Sequence, residues 1–180
     1  MKRILVAIDM QNDFISGSLG SPEARAIVEP AVQKIRETAD DPEAEIFATK
    51  DSHGPDYLRT AEGRKLPVPH CVRGTGGWEF NPEIAAALPV RTVVVEKPTF
   101  GSSALASFLR GKASERGGAD LKIEIIGLCT DVCVVSNALI LKAVLPEAEI
   151  AVVADCCAGT SPERHAAALA TMESCQIDVS

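Results

Sequence analysis

The sequence predicts an α/β fold: a three-layer α/β/α, Rossmann-like arrangement around a mostly parallel, doubly wound sheet of five to six strands. Short runs rich in Val and Ile alternate with helix-length segments along most of the chain, which is the pattern of β-α-β units. These runs are almost entirely apolar, as expected for strands that helices cover on both faces. At 180 residues, the chain has the length of one domain, and we expect a single domain over residues 1–180.

The predicted strands are rich in β-branched residues and are bounded by polar or turn-forming ones. In chain order they are "RILVAID" (3–9), "AEIFATK" (44–50), "RTVVVEK" (91–97), "LKIEIIG" (121–127) and "EIAVVAD" (149–155). The last five residues, "QIDVS" (176–180), predict a sixth strand at one edge of the sheet.

Four helices are predicted between the strands, and two of them open with Ser-Pro, a capping hydroxyl followed by proline at the first helical position. The segments are "SPEARAIVEPAVQKIRETAD" (21–40), "GSSALASFLRGKASERG" (101–117), "DVCVVSNALILKAVL" (131–145) and "SPERHAAALATMESC" (161–175). The stretch 51–81 differs, because it is rich in Gly, Pro and polar residues and lacks a sustained period. A loop of that length in a compact domain is usually functional.

Charge and cysteine content exclude several classes of protein. The formal net charge is -7, and the basic residues are scattered, which argues against binding to nucleic acid or to anionic membranes. The apolar run at the N-terminus is far shorter than the core of a signal peptide, so we expect a cytoplasmic protein. Its six cysteines have neither zinc-knuckle nor C-x2-C spacing, and we expect them to be free thiols.

Chemically active residues follow the predicted strands. In a doubly wound sheet, ligands bind beyond the carboxyl ends of the strands, and those ends all lie along one rim. The strands deliver to that rim, in chain order, Asp9; Lys50, Asp51 and His53; Glu96 and Lys97; the octet "GLCTDVCV" (127–134); and Asp155, Cys156 and Cys157. We expect the last two cysteines to support or pack around the site, with a role as oxidation-sensitive thiols as the alternative.

Cys133 is the candidate nucleophile. It would lie in the first turn of the helix after the fourth strand, where free N–H groups and the helix dipole favour a thiolate. Asp9 could accept the thiol proton and Lys97 could hold the charges. Each residue taken alone is more often structural, as a small apolar core residue, a cap or a solvated strand end. Only their convergence on one rim favours catalysis.

Three segments, "VAIDMQNDF", "EKPTFGS" and "GLCTDVCV", resemble the signatures of the isochorismatase-like cysteine hydrolases, the superfamily that includes nicotinamidases. The resemblance implies that Asp9 is the general base, that Lys97 organises Asp9 and the thiolate, and that Cys133 is the nucleophile. It also implies a cis peptide between Leu128 and Cys129 and an oxyanion hole formed by the backbone N–H groups of Cys129 and Cys133. The implied reaction hydrolyses a small carboxamide to acid and ammonia through a cysteine thioester.

A metal site is predicted in the long loop. "DSH" places Asp51 and His53 on one side of an extended strand end, and His70 follows in "PVPHC". Two imidazoles with one or two carboxylates suit zinc, iron or manganese. The resemblance strengthens this expectation, because nicotinamidases carry an Asp-x-His and a later His before a similar glycine-rich segment. Their metal usually has one more histidine between, which is missing here. Glu62 is the best substitute ligand, with Asp56 as the alternative.

The resemblance further implies nicotinamide as substrate and nicotinic acid as product, with the metal, zinc first, binding the pyridine nitrogen. Phe14, Phe100 and Trp78 would line a slot for the flat ring, although the two phenylalanines could be ordinary core residues and the tryptophan a loop anchor. We also expect a homo-oligomer on this ground.

Two alternatives stay open, namely a related hydrolase of another small amide or ureido compound, and a non-catalytic small-molecule-binding or redox-sensing domain. A dinucleotide-dependent oxidoreductase is disfavoured, because no G-x-G-x-x-G follows the first strand.

Overall fold

A computed structural model describes residues 2–114 and 120–180 of the chain. Its centre is a six-stranded parallel sheet in the order β3-β2-β1-β4-β5-β6, which confirms the predicted fold class. The strands are β1 (Lys2–Ile8), β2 (Glu45–Asp51), β3 (Val93–Lys97), β4 (Leu121–Leu128), β5 (Glu149–Ala158) and the short edge strand β6 (Asp178–Val179).

Helices cover both faces of the sheet. They are α1 (Asn12–Ile15), α2 (Pro22–Ala26), α3 (Val28–Ala39), α4 (Ala61–Lys65), α5 (Pro82–Ala87), α6 (Ser103–Ser114), α7 (Val135–Val144) and α8 (Pro162–Ser174). The structure also has a 3-10 turn (Tyr57–Arg59) and a π-helical turn (Thr130–Val134). Within residues 2–114 and 120–180, no helix combines the length and the apolar character needed to cross a bilayer.

The two faces of the sheet bury two separate apolar cores. Along β1, Ile4 and Val6 belong to the core beneath α6, α7 and α8, whereas Leu5 and Ala7 belong to the core beneath α1, α2, α3 and α5. This alternation follows from the two-residue period of a strand. Because both faces are buried, polar side chains can reach solvent or a ligand mainly at the strand ends, and the site lies at one of these ends.

Two predicted elements differ from the structure for identifiable reasons. The helix predicted over 21–40 is interrupted at Ile27, between α2 and α3. Pro30 explains the break: it has no N–H to donate to Ala26, yet it fits the first turn of a new helix. The helix predicted over 101–117 runs from Ser103 to Ser114, and its last three predicted residues lie outside the described part of the chain.

The fifth strand is longer than predicted. β5 extends to Ala158, with an irregularity in its pairing to β4 beyond Ile125. Cys156 and Cys157 therefore belong to the strand, not to the rim beyond it. Both are buried, and they pack into the cores on opposite faces of the sheet.

Gly127 allows β1 and β4 to approach closely where both strands end. Its φ is +122°, and an added Cβ would overlap the carbonyl oxygen of Ile8. Only glycine adopts such a conformation readily. Gly127 is paired with Ile8 in the sheet register, and this pairing brings Asp9 beside the turn that carries Cys133.

Candidate active site

Lys97 lies at the centre of a cluster of buried polar groups. Its Nζ is 2.6 Å from Asp9 Oδ2, 3.5 Å from Cys133 Sγ and 3.6 Å from Asp51 Oδ1. The exposed fractions of Asp9, Lys97 and Cys133 are 0%, 1% and 4%. The pairing of β2 with β3 places Asp51 directly opposite Lys97. The structure thus brings the three predicted catalytic residues together at the rim.

Thr49 and Thr99 fix the ends of this cluster, and sequence reasoning missed both. The Thr49 hydroxyl donates a 2.6 Å hydrogen bond to Asp9 Oδ1 and accepts one from the Asp9 amide. Lys97 Nζ donates to the carbonyl of Thr99. The available signal was a threonine that directly follows the apolar run 46–48 of β2.

Burial dominates the ionisation of the cluster. It raises the pKa of Asp9, with a further increase from the charge of Asp51, while Lys97 opposes both effects. Burial and the charge of Asp9 raise the pKa of the Cys133 thiol well above its ordinary value, although Lys97 acts in the other direction. Burial alone would lower the pKa of Lys97, but the charges of Asp9, Cys133 and Asp51 raise it. Burial and Asp9 thus act against ionisation of the Cys133 thiol, and Lys97 is the group of this cluster that favours it.

The backbone around Cys133 forms a tight turn, which we call the Cys133 turn (residues 129–134). The peptide bond between Leu128 and Cys129 is cis, as the family resemblance implied. The amides of Val132 and Val134 both donate to the carbonyl oxygen of Cys129. The regular helix α7 begins only at Val135, so Cys133 lies in a π-helical turn instead of the first α-helical turn that the sequence predicted.

The predicted metal ligands converge beside Lys97. One ligand atom each from Asp51, His53 and His70 lies within 4.8 Å of the others. Glu62 Oε1 is 3.7 Å from His53 Nε2 and 3.6 Å from His70 Nε2. Asp56, the alternative ligand, is exposed.

The hydrogen bonding of the two imidazoles fits a divalent cation. His70 Nδ1 lies 2.9 Å from the carbonyl oxygen of Val68. Its Nε2 therefore faces Asp51 Oδ2 at 3.5 Å and Glu62 Oε1, and a ring held through one nitrogen with the other facing the ligand set is the usual arrangement of a metal-binding histidine. His53 Nε2 is buried and lies 2.8 Å from Asp51 Oδ2. Hydrogen bonds from His53 and His70 and the charge of Lys97 lower the pKa of Asp51 in spite of its burial. Two nitrogens and two carboxylates of this kind suit zinc, iron or manganese.

Gln11 holds the backbone of Asp51 in place. Its fully buried amide accepts a hydrogen bond from the Asp51 N–H at 2.7 Å and donates to the Asp51 carbonyl at 2.9 Å. The same Nε2 donates to the carbonyl of Trp78. Gln11 was also missed, although it follows Asp9 closely in a segment that the sequence singled out.

A cavity of about 360 Å³ opens onto these groups. Cys129 and Cys133 lie in its wall together with Asp51, Glu62 and His70. The other residues of the wall are mostly apolar: Phe14, Leu19, Gly20, Ser21, Ala24, Leu66, Phe100, Val132, Gly159 and Thr160. The cavity thus joins the Cys133 thiol to the predicted metal ligands.

Two of the three predicted aromatic contacts line this cavity. Phe14 is buried, and Phe100 is 43% exposed at the mouth. Trp78 is not among the residues that line the cavity. Its Nε1 donates to Ser52 Oγ at 2.7 Å, and its ring lies 3.7 Å from Lys50 Nζ. The polar indole nitrogen and the neighbouring cation make Trp78 an anchor of the long loop.

The sequence matches the isochorismatase domain family over residues 3–180. The chain belongs to the isochorismatase family. It is a hydrolase of that family, and its likeness to particular members extends over the whole chain.

Three relatives illustrate this likeness. A nicotinamidase/pyrazinamidase from Mycobacterium tuberculosis is 27% identical, with 98% of this chain and 97% of the relative aligned. A pyrazinamidase from Pyrococcus horikoshii, crystallised in complex with zinc, superposes with a TM-score of 0.81 at 29% identity, covering 99% of this chain and 98% of the other. An N-carbamoylsarcosine amidase from Thermoplasma acidophilum superposes with a TM-score of 0.77 at 30% identity, covering 99% and 95%. These homologues support amide hydrolysis as a reaction of the isochorismatase family.

Proposed function

We propose that this protein hydrolyses nicotinamide to nicotinic acid and ammonia, with Cys133 as nucleophile. The observation that carries the proposal is the Asp9–Lys97–Cys133 cluster, in which one lysine contacts both a carboxylate and a thiol at the wall of a cavity that also exposes Asp51, Glu62 and His70. The nicotinamidase and pyrazinamidase relatives support the same substrate class.

Proton transfer from Cys133 to Asp9 begins the reaction. The raised pKa of Asp9 makes it a stronger base than an exposed carboxylate, and Lys97 stabilises the thiolate that forms. The thiolate then attacks the amide carbonyl. The backbone N–H groups of Cys129 and Cys133 receive the oxyanion, and Asp9 returns the proton to the departing ammonia.

Hydrolysis of the resulting thioester completes the cycle. Asp9, again a carboxylate, takes a proton from water, and the water oxygen attacks the acyl carbon. The carbon–sulfur bond breaks, the acid leaves, and the proton passes to Cys133 Sγ. Lys97 keeps its charge throughout and offsets the negative charge that moves between Asp9 and Cys133, as expected for a preorganised cation.

Asp51, His53, Glu62 and His70 would hold a divalent metal ion, with zinc first and iron or manganese as alternatives. When bound, the ion supplies a Lewis-acid position for the ring nitrogen of the substrate. Phe14 and Phe100 would flank the ring from the apolar part of the cavity. The amide would then point toward Cys133, and positioning of this kind is a major source of catalysis.

Ammonia release from nicotinamide by zinc-loaded protein tests the proposal. We expect turnover by the parent and its loss in Cys133→Ala. Cys175→Ala is the matched control, because Cys175 is an exposed free cysteine, and it should retain full activity. Equal activity of Cys133→Ala and the parent would exclude Cys133 as nucleophile, and an inert parent would exclude nicotinamide as substrate.

A ureido compound is the second candidate substrate. The superposition with the N-carbamoylsarcosine amidase at 30% identity favours it, because the same cluster could attack a carbamoyl carbon. An assay with N-carbamoylsarcosine beside nicotinamide separates the two candidates. A higher kcat/KM for the ureido compound would replace nicotinamide as the substrate while leaving the role of Cys133 unchanged.

A further inference from the structure

The Cys133 turn is attached through its side chains to the start of α8. Thr130 Oγ1 and His165 Nδ1 are joined by a 2.8 Å hydrogen bond. The next residue, Asp131, accepts hydrogen bonds from the Thr160 amide at 2.8 Å and from the Thr160 hydroxyl at 2.5 Å. Two consecutive residues of the turn are therefore fixed to one short segment that follows β5.

That segment is packed closely and belongs to the cavity wall. An added Cβ at Gly159 would lie 2.8 Å from the backbone nitrogen of His165, so the absence of a side chain there lets the end of β5 approach α8. Gly159 and Thr160 both line the cavity, as Cys129 and Cys133 do. The α8 contact thus lies next to the place where a substrate amide would react.

Thr130 is the tethered residue nearest to the proposed oxyanion donors. It follows Cys129 directly and is completely buried. Buried hydroxyl groups require a partner, and His165 provides one from a different element of the fold. A second tether lies on the far side of the turn, where Asn137 Nδ2 donates to the carbonyl of Cys133 at 2.8 Å. The turn is thereby held at both ends, and His165 holds the end that carries the Cys129 amide.

We propose that His165 is a positioning residue that acts through Thr130 to hold the Cys129 amide where the oxyanion forms. This inference rests on the proposed function, since it concerns the same amide hydrolysis. It assigns His165 no contact with substrate. Loss of the hydrogen bond would let the amide donors move, and displacements of about 1 Å can lower rates by roughly 100-fold.

Four variants test this role. Thr130→Val and His165→Ala each remove the hydrogen bond, whereas Thr130→Ser and His165→Asn keep a polar group in its place. We expect the first two to lower kcat for nicotinamide by about 10- to 100-fold with little change in KM. The conservative pair should recover most of the loss. The double variant Thr130→Val with His165→Ala should have a kcat no lower than that of the less active single variant, because the two substitutions remove the same hydrogen bond.

Alkylation of Cys133 by iodoacetamide separates positioning of the oxyanion donors from damage to the nucleophile, because alkylation needs no oxyanion hole. We expect alkylation rates to change by less than about 3-fold, against a drop in kcat of at least about 10-fold. Thr171→Val is the matched control, since Thr171 is exposed on α8 and its hydroxyl bonds only within the helix to Ala167. It should change neither quantity. Unchanged kcat in Thr130→Val, or a parallel fall of kcat and alkylation, would overturn the proposal.

Hydrogen–deuterium exchange distinguishes failure of this inference from failure of the proposed function. Exchange in a peptide covering residues 127–134 should increase in His165→Ala and Thr130→Val, but not in Thr171→Val. If the parent is inert toward nicotinamide, the substrate assignment fails, and the exchange result alone decides whether His165 holds the turn. Unchanged exchange in that peptide would overturn the positioning role.

Discussion

Lys97 lies beside both buried carboxylates of the candidate site, Asp9 and Asp51. Besides Asp9 and Cys133, it lies 3.6 Å from Asp51 Oδ1, so it balances the charge of two carboxylates in a buried place. A lone buried carboxylate is strongly destabilised. Lys97 and the hydrogen bond from Thr49 thus favour the ionised state of Asp9 against its burial.

The first prediction concerns the proposed proton acceptor. Asp9→Asn removes the base while keeping the size of the side chain, and we expect kcat to fall by about 100- to 10,000-fold. Alkylation of Cys133 should slow as well, because its thiol loses the group that accepts its proton. Steady-state kinetics and alkylation rates measure both effects. Activity within about 10-fold of the parent would contradict the assignment of Asp9 as base.

The second prediction compares the two candidates for the additional metal ligand. Glu62→Gln should weaken zinc affinity by at least about 10-fold, because Glu62 faces both imidazoles. Asp56→Asn is the matched control, since its side chain is exposed, and it should bind zinc like the parent. Competition with a chromogenic chelator gives the two affinities. If Asp56→Asn weakened zinc binding and Glu62→Gln did not, Asp56 would be the additional ligand instead of Glu62.

At the scale of elements, the ends of β1 and β4 determine where the cluster assembles. Asp9 leaves β1 with a φ of +49°, and Gly127 is paired with Ile8 in the same layer. The Cys133 turn then begins directly after β4. Two residues far apart in sequence thus meet because neighbouring parallel strands end together.

The third prediction tests that junction. Gly127→Ala introduces a Cβ that would overlap the Ile8 carbonyl, and we expect a loss of at least about 2 kcal/mol in the free energy of unfolding. Gly111→Ala is the matched control, because Gly111 lies in α6 with open space at its Cβ position. It should be neutral or stabilising by about 0.5–1 kcal/mol, since alanine favours a helix. Urea denaturation measures both free energies of unfolding. Equal changes in the two variants would contradict the close approach of β1 and β4 at Gly127.

At the scale of the whole molecule, buried charge also occurs in the sheet away from the candidate site. On the β1–β4 pair away from the rim, Glu124 forms ion pairs with Arg3 and Lys34. Hydrogen bonds and charge from these two residues lower the pKa of Glu124, despite the opposing effect of burial. Here the charges join strands β1 and β4 to helix α3, so they contribute to stability instead of catalysis.

The fourth prediction follows from the sign of that shift. Because the pKa of Glu124 is lower in the folded chain than its ordinary value of 4.5, its stabilising effect is present at neutral pH and disappears as the pH falls below 4.5. Glu124→Gln should therefore cost about 1 kcal/mol at pH 7 and much less in acid. Glu147→Gln, at an exposed position, is the control. A destabilisation independent of pH would exclude the ionic contribution.

Much of the molecule follows from sequence because its strands are short apolar runs with chemically active residues at their ends. The rule that ligands bind beyond the carboxyl ends of parallel strands was enough to predict Asp9, Lys97 and Cys133 at one rim. Thr49 and Gln11 were missed because their importance comes from partners about 40 positions away along the chain, which no local pattern reveals. The two roles considered for Trp78, a ring contact and a loop anchor, stayed open at the sequence level, because the loop 51–81 has no period from which side-chain directions could be read.

The covalent intermediate gives the most direct test of the central claim. Zinc-loaded protein mixed with nicotinamide and quenched in acid within one turnover should carry a single nicotinoyl group, and peptide mapping by mass spectrometry should place it on Cys133. Asp9→Asn should carry far less of this adduct. Turnover with no adduct, or an adduct on another residue, would contradict catalysis through a Cys133 thioester.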